Sequence, residues 1–363
     1  MNIKNKLVCS IDLLEIIILF FTILTLKLPI SISGILLIFS IFIIYRNRDM
    51  LVLDPELKKI FFYFGLFLLF FTFYSIDIRL SFKGFYDIFR GFLIFPITII
   101  LINKVNNQNI NNYFITISFL FLLGNFLFNR GYYFGYFNNP NNVSMEVFIA
   151  TLVGLLFFNS KDKFNIIITF SFLISSIYLI FLAGTRGVII GIFFGIIVIL
   201  NVYYQKKIVI LYQLIIVGIS SFYLFYFSQG LNLSAREDIW IPLFKDTIEN
   251  NLFFGSGINS VKLVIERLDS ITLTAHNLFL EIFVSTGLVG LCIFIYLLYL
   301  LFIYFRKQKY IKNHISYLGI FGITSIFIMY QVDLKFTENS FMGMVFYFLG
   351  LIYSQINIER SKN

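Results

Sequence analysis

Residues 276–304 read HNLFLEIFVSTGLVGLCIFIYLLYLLFIY, with Glu281 the one charged side chain among them. About 20 consecutive apolar residues cross the roughly 30 Å hydrocarbon core of a bilayer as a helix, and this stretch is long enough to do so. Working outward, similar runs recur upstream near 7–26, 28–45, 59–76, 84–102, 112–128, 143–158, 164–182, 187–204 and 208–227, and downstream near 314–331 and 340–356. Over all 363 residues, 59% are hydrophobic and 13% charged, and mean hydropathy is +0.89. That leaves too little polar surface to cover a soluble fold. The expected fold is therefore an all-α integral membrane protein of about twelve transmembrane helices. Residues 1–363 form one polytopic domain, and the one large loop, 228–275, is inserted between spans nine and ten and carries short helices.

Cys9 and Cys292 sit in apolar runs far apart, without CxxC or Cys/His spacing, so neither a disulfide framework nor a metal site is indicated. Lys4 and Lys6 ahead of an apolar run resemble a secretory signal. Asp12 and Glu15 interrupt it, however, and no small-residue cleavage site follows, so it reads as a retained first helix. Orientation follows from Lys and Arg in alternate breaks, because positive loops stay in the cytoplasm. Both termini and the breaks on their side hold seventeen, against ten on the other side, four of those ten in the long loop. Both termini are thus placed in the cytoplasm and the large loop outside. The formal charge of +9 reflects anchoring on anionic membrane lipid, not nucleic-acid binding. The intramembrane charges Asp12, Glu15, Asp87 and Arg90 are expected to face the bundle interior, the last two pairing locally at a spacing of three.

The outer breaks are unlike simple connectors. Residues 129–142 collect amides, aromatics and turn residues around Arg130, Pro140 and Asn141, and another break is only Ala183-Gly-Thr-Arg186-Gly187. The long loop contains Ser234-Ala-Arg-Glu237, a capping box, then Trp240, Leu243, Phe244, Thr247 and Ile248 at helical spacing. This predicts an amphipathic helix on the bundle mouth, kinked or restarted at Pro242. A turn at Gly255-Ser-Gly257, a short polar helix near 260–269 and His276-Asn277 at the membrane re-entry follow.

Three of these blocks resemble the bacterial O-antigen polymerase and O-antigen ligase superfamily. They are Leu182-Ala-Gly-Thr-Arg186-Gly, Arg236-Glu-Asp-Ile-Trp240 through Asn251-Leu-Phe-Phe-Gly255-Ser-Gly257, and His276-Asn277-Leu-Phe-Leu-Glu281 through Thr286-Gly287-Leu-Val-Gly290. Gly135-Tyr-Phe-Asn-Asn-Pro140-Asn141 is similar to the superfamily's Asn-Pro-Asn block, and Thr185 stands where many members have Ser. The resemblance covers about residues 130–300. It implies a glycosyltransferase in the bacterial cytoplasmic (inner) membrane, acting on its periplasmic side. The implied donor is an undecaprenyl-diphosphate-linked oligosaccharide, used without metal or other cofactor, with a flippase and a chain-length regulator of the same pathway as partners.

The residues suit that chemistry. Breaking the C1 bond to a diphosphate develops negative charge on the leaving group, which fixed donors and cations must stabilise. Arginine offers a planar, permanently protonated fork to two phosphate oxygens. Arg186 and Arg236 are the expected diphosphate ligands. An anchoring role for Arg186 at the membrane edge and an idle surface role for Arg236 are the alternatives. Arg236 lies in the first turn of its helix, where the macrodipole disfavours a cation. Arg130 is a third candidate, and Arg79 and Lys83 read as edge anchors. His276 is one of two histidines, the other being His314 in a basic cytoplasmic break. At neutral pH it can take a proton from an attacking hydroxyl, or else position a substrate by hydrogen bonding or simply cap the helix. Asn141, Trp240, Asn277 and Glu281 complete the expected substrate-binding set. Trp240 also fits an interface belt, and Glu281 a buried ion pair.

The expected reaction is inverting displacement by a polymerase of lipid-linked O-antigen repeat units. A ligase delivering the glycan to lipid A core uses the same blocks. A lipid-linked glycan transporter or flippase would also have twelve spans, yet the internal repeats common in transporters are not seen, and chemistry-bearing residues gather at one face.

Overall fold

The computed structural model describes residues 3–24, 30–105, 114–120, 140–158, 160–183, 186–204, 234–268, 275, 277–308, 313–330 and 339–360, some helical residues by backbone alone. Among them regular structure is entirely helical, without strands. Helices α1 (Ile3–Leu24), α2 (Ile30–Arg46) and α3 (Pro55–Phe73) are followed by α4 (Ile78–Phe92) and α5 (Ile94–Val105), two pieces of one nearly continuous rod. Then come α6 (Pro140–Leu155), α7 (Lys163–Ala183), α8 (Arg186–Tyr204), α9 (Ser234–Asn251), α10 (Val261–Arg267), α11 (Leu278–Lys307), α12 (His314–Met329) and α13 (Asn339–Arg360).

Among the described residues, four segments are long and apolar enough to cross a membrane: Ile78–Val105, Lys163–Ile180, Leu278–Lys307 and Phe341–Arg360. Shorter apolar helices are Ile35–Arg46, Gly187–Leu200 and His314–Met329. The run expected at 208–227 lies outside the described residues, as does most of 112–128. Helix α4 begins at Ile78, earlier than the apolar run starting near 84, because Asp77 caps it by accepting the Arg79 and Leu80 amides. Hydropathy cannot see such a polar first turn.

Helix α13 is the hub, buried along most of its length against α4, α5 and α12, while α12 packs on α8 and α11 on α3. Isoleucine, leucine and phenylalanine make up most of the core, with the rings packing on one another. Phe61, for example, meets Phe92, Phe95 and Phe346 edge-on at 5.0–6.0 Å, the arrangement favoured by ring quadrupoles.

The end of the bundle where α3 begins is joined by charge. Lys104 lies 2.6 Å from Asp12 and 2.8 Å from Glu15, and Arg46 lies 2.9 Å from Glu15. Arg360 pairs with Asp54 at 2.6 Å, and the Tyr304 hydroxyl donates to the same carboxylate at 2.5 Å. These contacts gather Asp12 and Glu15 of α1, the last turns of α2, α5, α11 and α13 and the start of α3 at one end of the bundle. Asp87 and Arg90 do pair, loosely at 3.9 Å, with Arg90 buried.

Candidate functional site

At the opposite end of α3 the chain builds a joint from backbone alone. Helix α11 is interrupted at Gly287, with φ 64° and ψ −168°, a conformation essentially reserved for glycine. An interruption there frees the Val284 and Ser285 carbonyls and the Leu288 and Val289 amides from one another. All four are satisfied by a single neighbouring segment. Ser256 and Gly257 donate to the Val284 and Ser285 carbonyls at 2.9 and 2.7 Å, and Leu288 and Val289 donate to the Leu252 and Phe253 carbonyls at 2.8 and 3.1 Å. Backbone at membrane depth tolerates a broken helix only under such replacement. Gly255 (φ 66°) lies opposite, and a Cβ there would come within 2.5 Å of the Thr286 and Gly287 amide nitrogens. The motifs Asn251–Gly257 and Thr286–Gly290, far apart in sequence, are thus two halves of one joint.

Its other side is gripped by the turn between α3 and α4. Ile76 donates to the Ser256 carbonyl at 3.1 Å, Ile258 to that of Phe71 at 3.3 Å, and the Ser81 hydroxyl to that of Ile258 at 2.5 Å. The Asn259 amide reaches the Leu80 carbonyl at 3.1 Å. Ser75, Ser81 and Asn259 were not singled out from sequence, since lone serines and an asparagine in polar breaks carry no signal. Arg79 and Lys83, in the first two turns of α4, are exposed.

From the joint, α9 runs back along the first part of α11. Ile239, Leu243, Val261, Val264, Ile265, Ala275 and Val284 form a small core separate from the bundle's main one. Helix α9 continues through Pro242, so of the kink or restart expected there the restart does not occur. Trp240 donates its indole N–H to the Ala275 carbonyl at 2.7 Å, tying α9 to the residue before His276. Asn277 caps α11, its side-chain oxygen accepting the Leu280 amide at 2.9 Å, while Leu278 donates to the Tyr330 carbonyl at 3.0 Å. The chain on either side of His276 is therefore fixed to α9 and to α12. Glu281 is buried in the first turn of α11, where the macrodipole favours a carboxylate.

Trp240, Ile241, Phe244, Lys245, Asn277 and Leu280 line one groove of about 360 Å³. Two expected substrate-binding residues, Trp240 and Asn277, thus share a cleft, and Lys245 joins them as a cation that the sequence reading passed over. Beside it Asp246 accepts from Arg267 at 2.5 Å and from Asn250 at 2.9 Å. His276 and Arg130 lie outside the described residues. Arg186 begins α8, Arg236 is the third residue of α9 and Asn141 the second of α6, and the side chains of these three lie outside as well. Of the residues at helical spacing on α9, Leu243 and Thr247 are buried while Phe244 and Ile248 are exposed, because α10 and α11 cover the side of α9 that carries Ile239 and Leu243.

The fold and this joint define an all-helical integral membrane protein with a compact substructure mounted on one end of its bundle. Residues 170–295 match the family described as O-antigen ligase, so the resemblance read from the three blocks holds for that segment. It begins within α7 and ends just past the Gly287 joint. No curated protein and no solved structure matches the chain.

Proposed function

We propose that this protein is an inverting glycosyltransferase that polymerises undecaprenyl-diphosphate-linked O-antigen repeat units on the periplasmic side of the inner membrane. The observation that carries the reading is the O-antigen ligase match over residues 170–295, an interval containing Arg186, Arg236 and His276. The geometry supports it. The Trp240–Ala275 bond draws together the element bearing Arg236, one turn before Trp240, and the segment bearing His276, next to Ala275.

In this reading twelve helices span the bilayer with both termini cytoplasmic, and 228–275 forms the periplasmic loop. Arg186 and Arg236, with Arg130, hold the donor's diphosphate. The acceptor sugar lies along the Trp240–Asn277 groove, with Asn141 and Glu281 contributing to its surroundings. The acceptor hydroxyl attacks C1 of the donor glycan from the face opposite the diphosphate. As the new C–O bond forms, the bond to the leaving oxygen breaks and its electron pair departs with the polyprenyl diphosphate, whose charge the arginines stabilise without a metal. His276 takes the hydroxyl proton. A flippase supplies the repeat units, and a chain-length regulator acts on the product.

A second reading, transfer of the glycan to lipid A core, is favoured by the description of the matched family as ligase. Purified wild type and His276→Ala, each given lipid-linked repeat units as the only substrate, distinguish them. A product ladder from wild type, absent with the variant, supports the polymerase. Glycosylation of added lipid A core without a ladder makes the protein a ligase. Activity on neither acceptor overturns both in favour of a lipid-linked glycan transporter.

A further inference from the structure

Helix α9 has three faces where an amphipathic helix needs two. Ile239, Leu243 and Thr247 are buried against α10 and α11, and Lys245 and Glu249 are polar and exposed. Between these lie Ile241, Phe244 and Ile248, spaced by three and four residues and 52, 50 and 42% exposed. The strip does not end with α9. The Phe244 ring meets that of Phe283 at 5.4 Å. Phe253, 61% exposed, is tied through its carbonyl to Val289, beside exposed Leu288. From Leu288 onward α11 presents Ile295, Tyr296, Tyr299 and Phe302 outward. Its twenty residues from Leu288 to Lys307 rise roughly 30 Å, one hydrocarbon core. The outward apolar flank of α11 and the apolar strip of α9 therefore meet at Phe253, Leu288 and the Phe244–Phe283 contact.

We propose that the Ile241, Phe244 and Ile248 face of α9 is seated in the bilayer, so that α9 is an interfacial helix and not a water-exposed cover. The occupant of the face is lipid hydrocarbon, identified by continuity with the flank of α11. Lys245 borders the strip, where its methylenes lie along apolar surface and its ammonium reaches lipid phosphate. The groove beside it shares Ile241 and Phe244 with this face, so one of its walls stands in lipid.

The chain's single tryptophan makes the test direct. Trp240→Phe removes the native fluorophore. In that background Phe244→Trp, Ile248→Trp and, on the polar face, Glu249→Trp are each placed in the full-length protein in phosphatidylcholine vesicles. The probes are lipid brominated near the top of its acyl chains and aqueous iodide. The tryptophans at 244 and 248 are expected to emit at short wavelength, to lose most of their emission to brominated lipid and to ignore iodide. The tryptophan at 249 is expected to respond to iodide. Quenching at 244 and 248 by iodide and not by brominated lipid overturns the proposal by placing the face in water. Quenching by neither also overturns it, by showing the face covered with protein. Monodispersity of each variant by gel filtration reports folding, and no readout depends on activity, so failure here is distinct from failure of the glycosyltransferase reading.

Discussion

The two ends of α3 are joined to the rest of the bundle by opposite means. At its start, Asp54 takes Arg360 and Tyr304, and close by Lys104 bridges Asp12 and Glu15. At its finish, the turn of Phe71 to Ser81 grips a loop that is itself laced into α11, through backbone amides, two serines and an asparagine. A charged joint fixes which side chains meet and leaves the backbone free to adjust. A backbone joint fixes the path of the chain to within tenths of an ångström. The backbone joint is joined by the Phe244–Phe283 contact to the helix that lines the Trp240–Asn277 groove.

The charged joint breaks most readily by removing one partner. Lys104 is 8% exposed and Glu15 5%, so Lys104→Met leaves Asp12 without its cation and Glu15 with Arg46 alone. Losing one partner of a buried pair costs about 3–5 kcal/mol, and thermal unfolding in detergent should show this as the largest loss in the series. Removing both carboxylates as well, Lys104→Met with Asp12→Asn and Glu15→Gln, leaves only the half-exposed Arg46 charged and should recover most of it. If the triple variant is no better than the single one, unpaired charge is not the cause.

Gly287→Ala strikes the other joint. The new methyl would meet the Phe253 and Phe254 backbone, at a φ of +64° that side-chain-bearing residues rarely adopt. Backbone strain of this kind costs about 1–3 kcal/mol, and parting the two segments would also expose their four exchanged hydrogen bonds. Accelerated proteolysis between Asn251 and Ser260, with the remainder of the chain intact, would locate the damage. Unchanged proteolysis and stability would mean that the two segments are not laced together as described.

The difference between the joints also explains what could be read in advance. Asp12, Glu15, Asp87 and Arg90 are conspicuous because charge in an apolar run is costly, and the inward placement expected from that cost holds for Glu15 and Arg90 while Asp12 and Asp87 stay part-exposed. The helix over 234–251 was legible from its capping box, and the run that becomes α11 from hydropathy alone. The break inside that run was not. Gly287 sits among Thr286, Leu288 and Gly290 with no change in hydropathy, and its partner segment lies some thirty residues away. Backbone pairing leaves no signature in side-chain pattern. What covers Phe244 and Ile248 was not legible for a related reason, since spacing reports that a face is apolar and not what lies against it.

Trp240→Phe separates positioning from packing at the groove. The substitution keeps an aromatic ring and removes one hydrogen bond to a buried carbonyl, a loss of about 1–2 kcal/mol. In the proposed mechanism that bond also sets where His276 begins. Misplacing a catalytic group by an ångström can cost about a hundredfold in rate, so kcat should fall by about ten- to a hundredfold while KM for the acceptor changes little. A rise in KM at constant kcat would instead make Trp240 a sugar-binding surface alone.

The smallest effect should have the opposite sign. Gly65 lies inside α3, midway between the two joints, and a Cβ there meets nothing within 4 Å. Glycine within a helix is about 0.5–1 kcal/mol less favourable than alanine, chiefly through the entropy it retains when unfolded. Gly65→Ala should therefore raise the unfolding temperature slightly and leave activity intact. Set beside Gly287→Ala, it is the same chemical change at a position where the chain is ordinary helix and open to its surroundings. A loss of stability at both sites would show that glycine is needed throughout these helices. A gain at Gly65 with a loss at Gly287 would assign the need to the backbone joint.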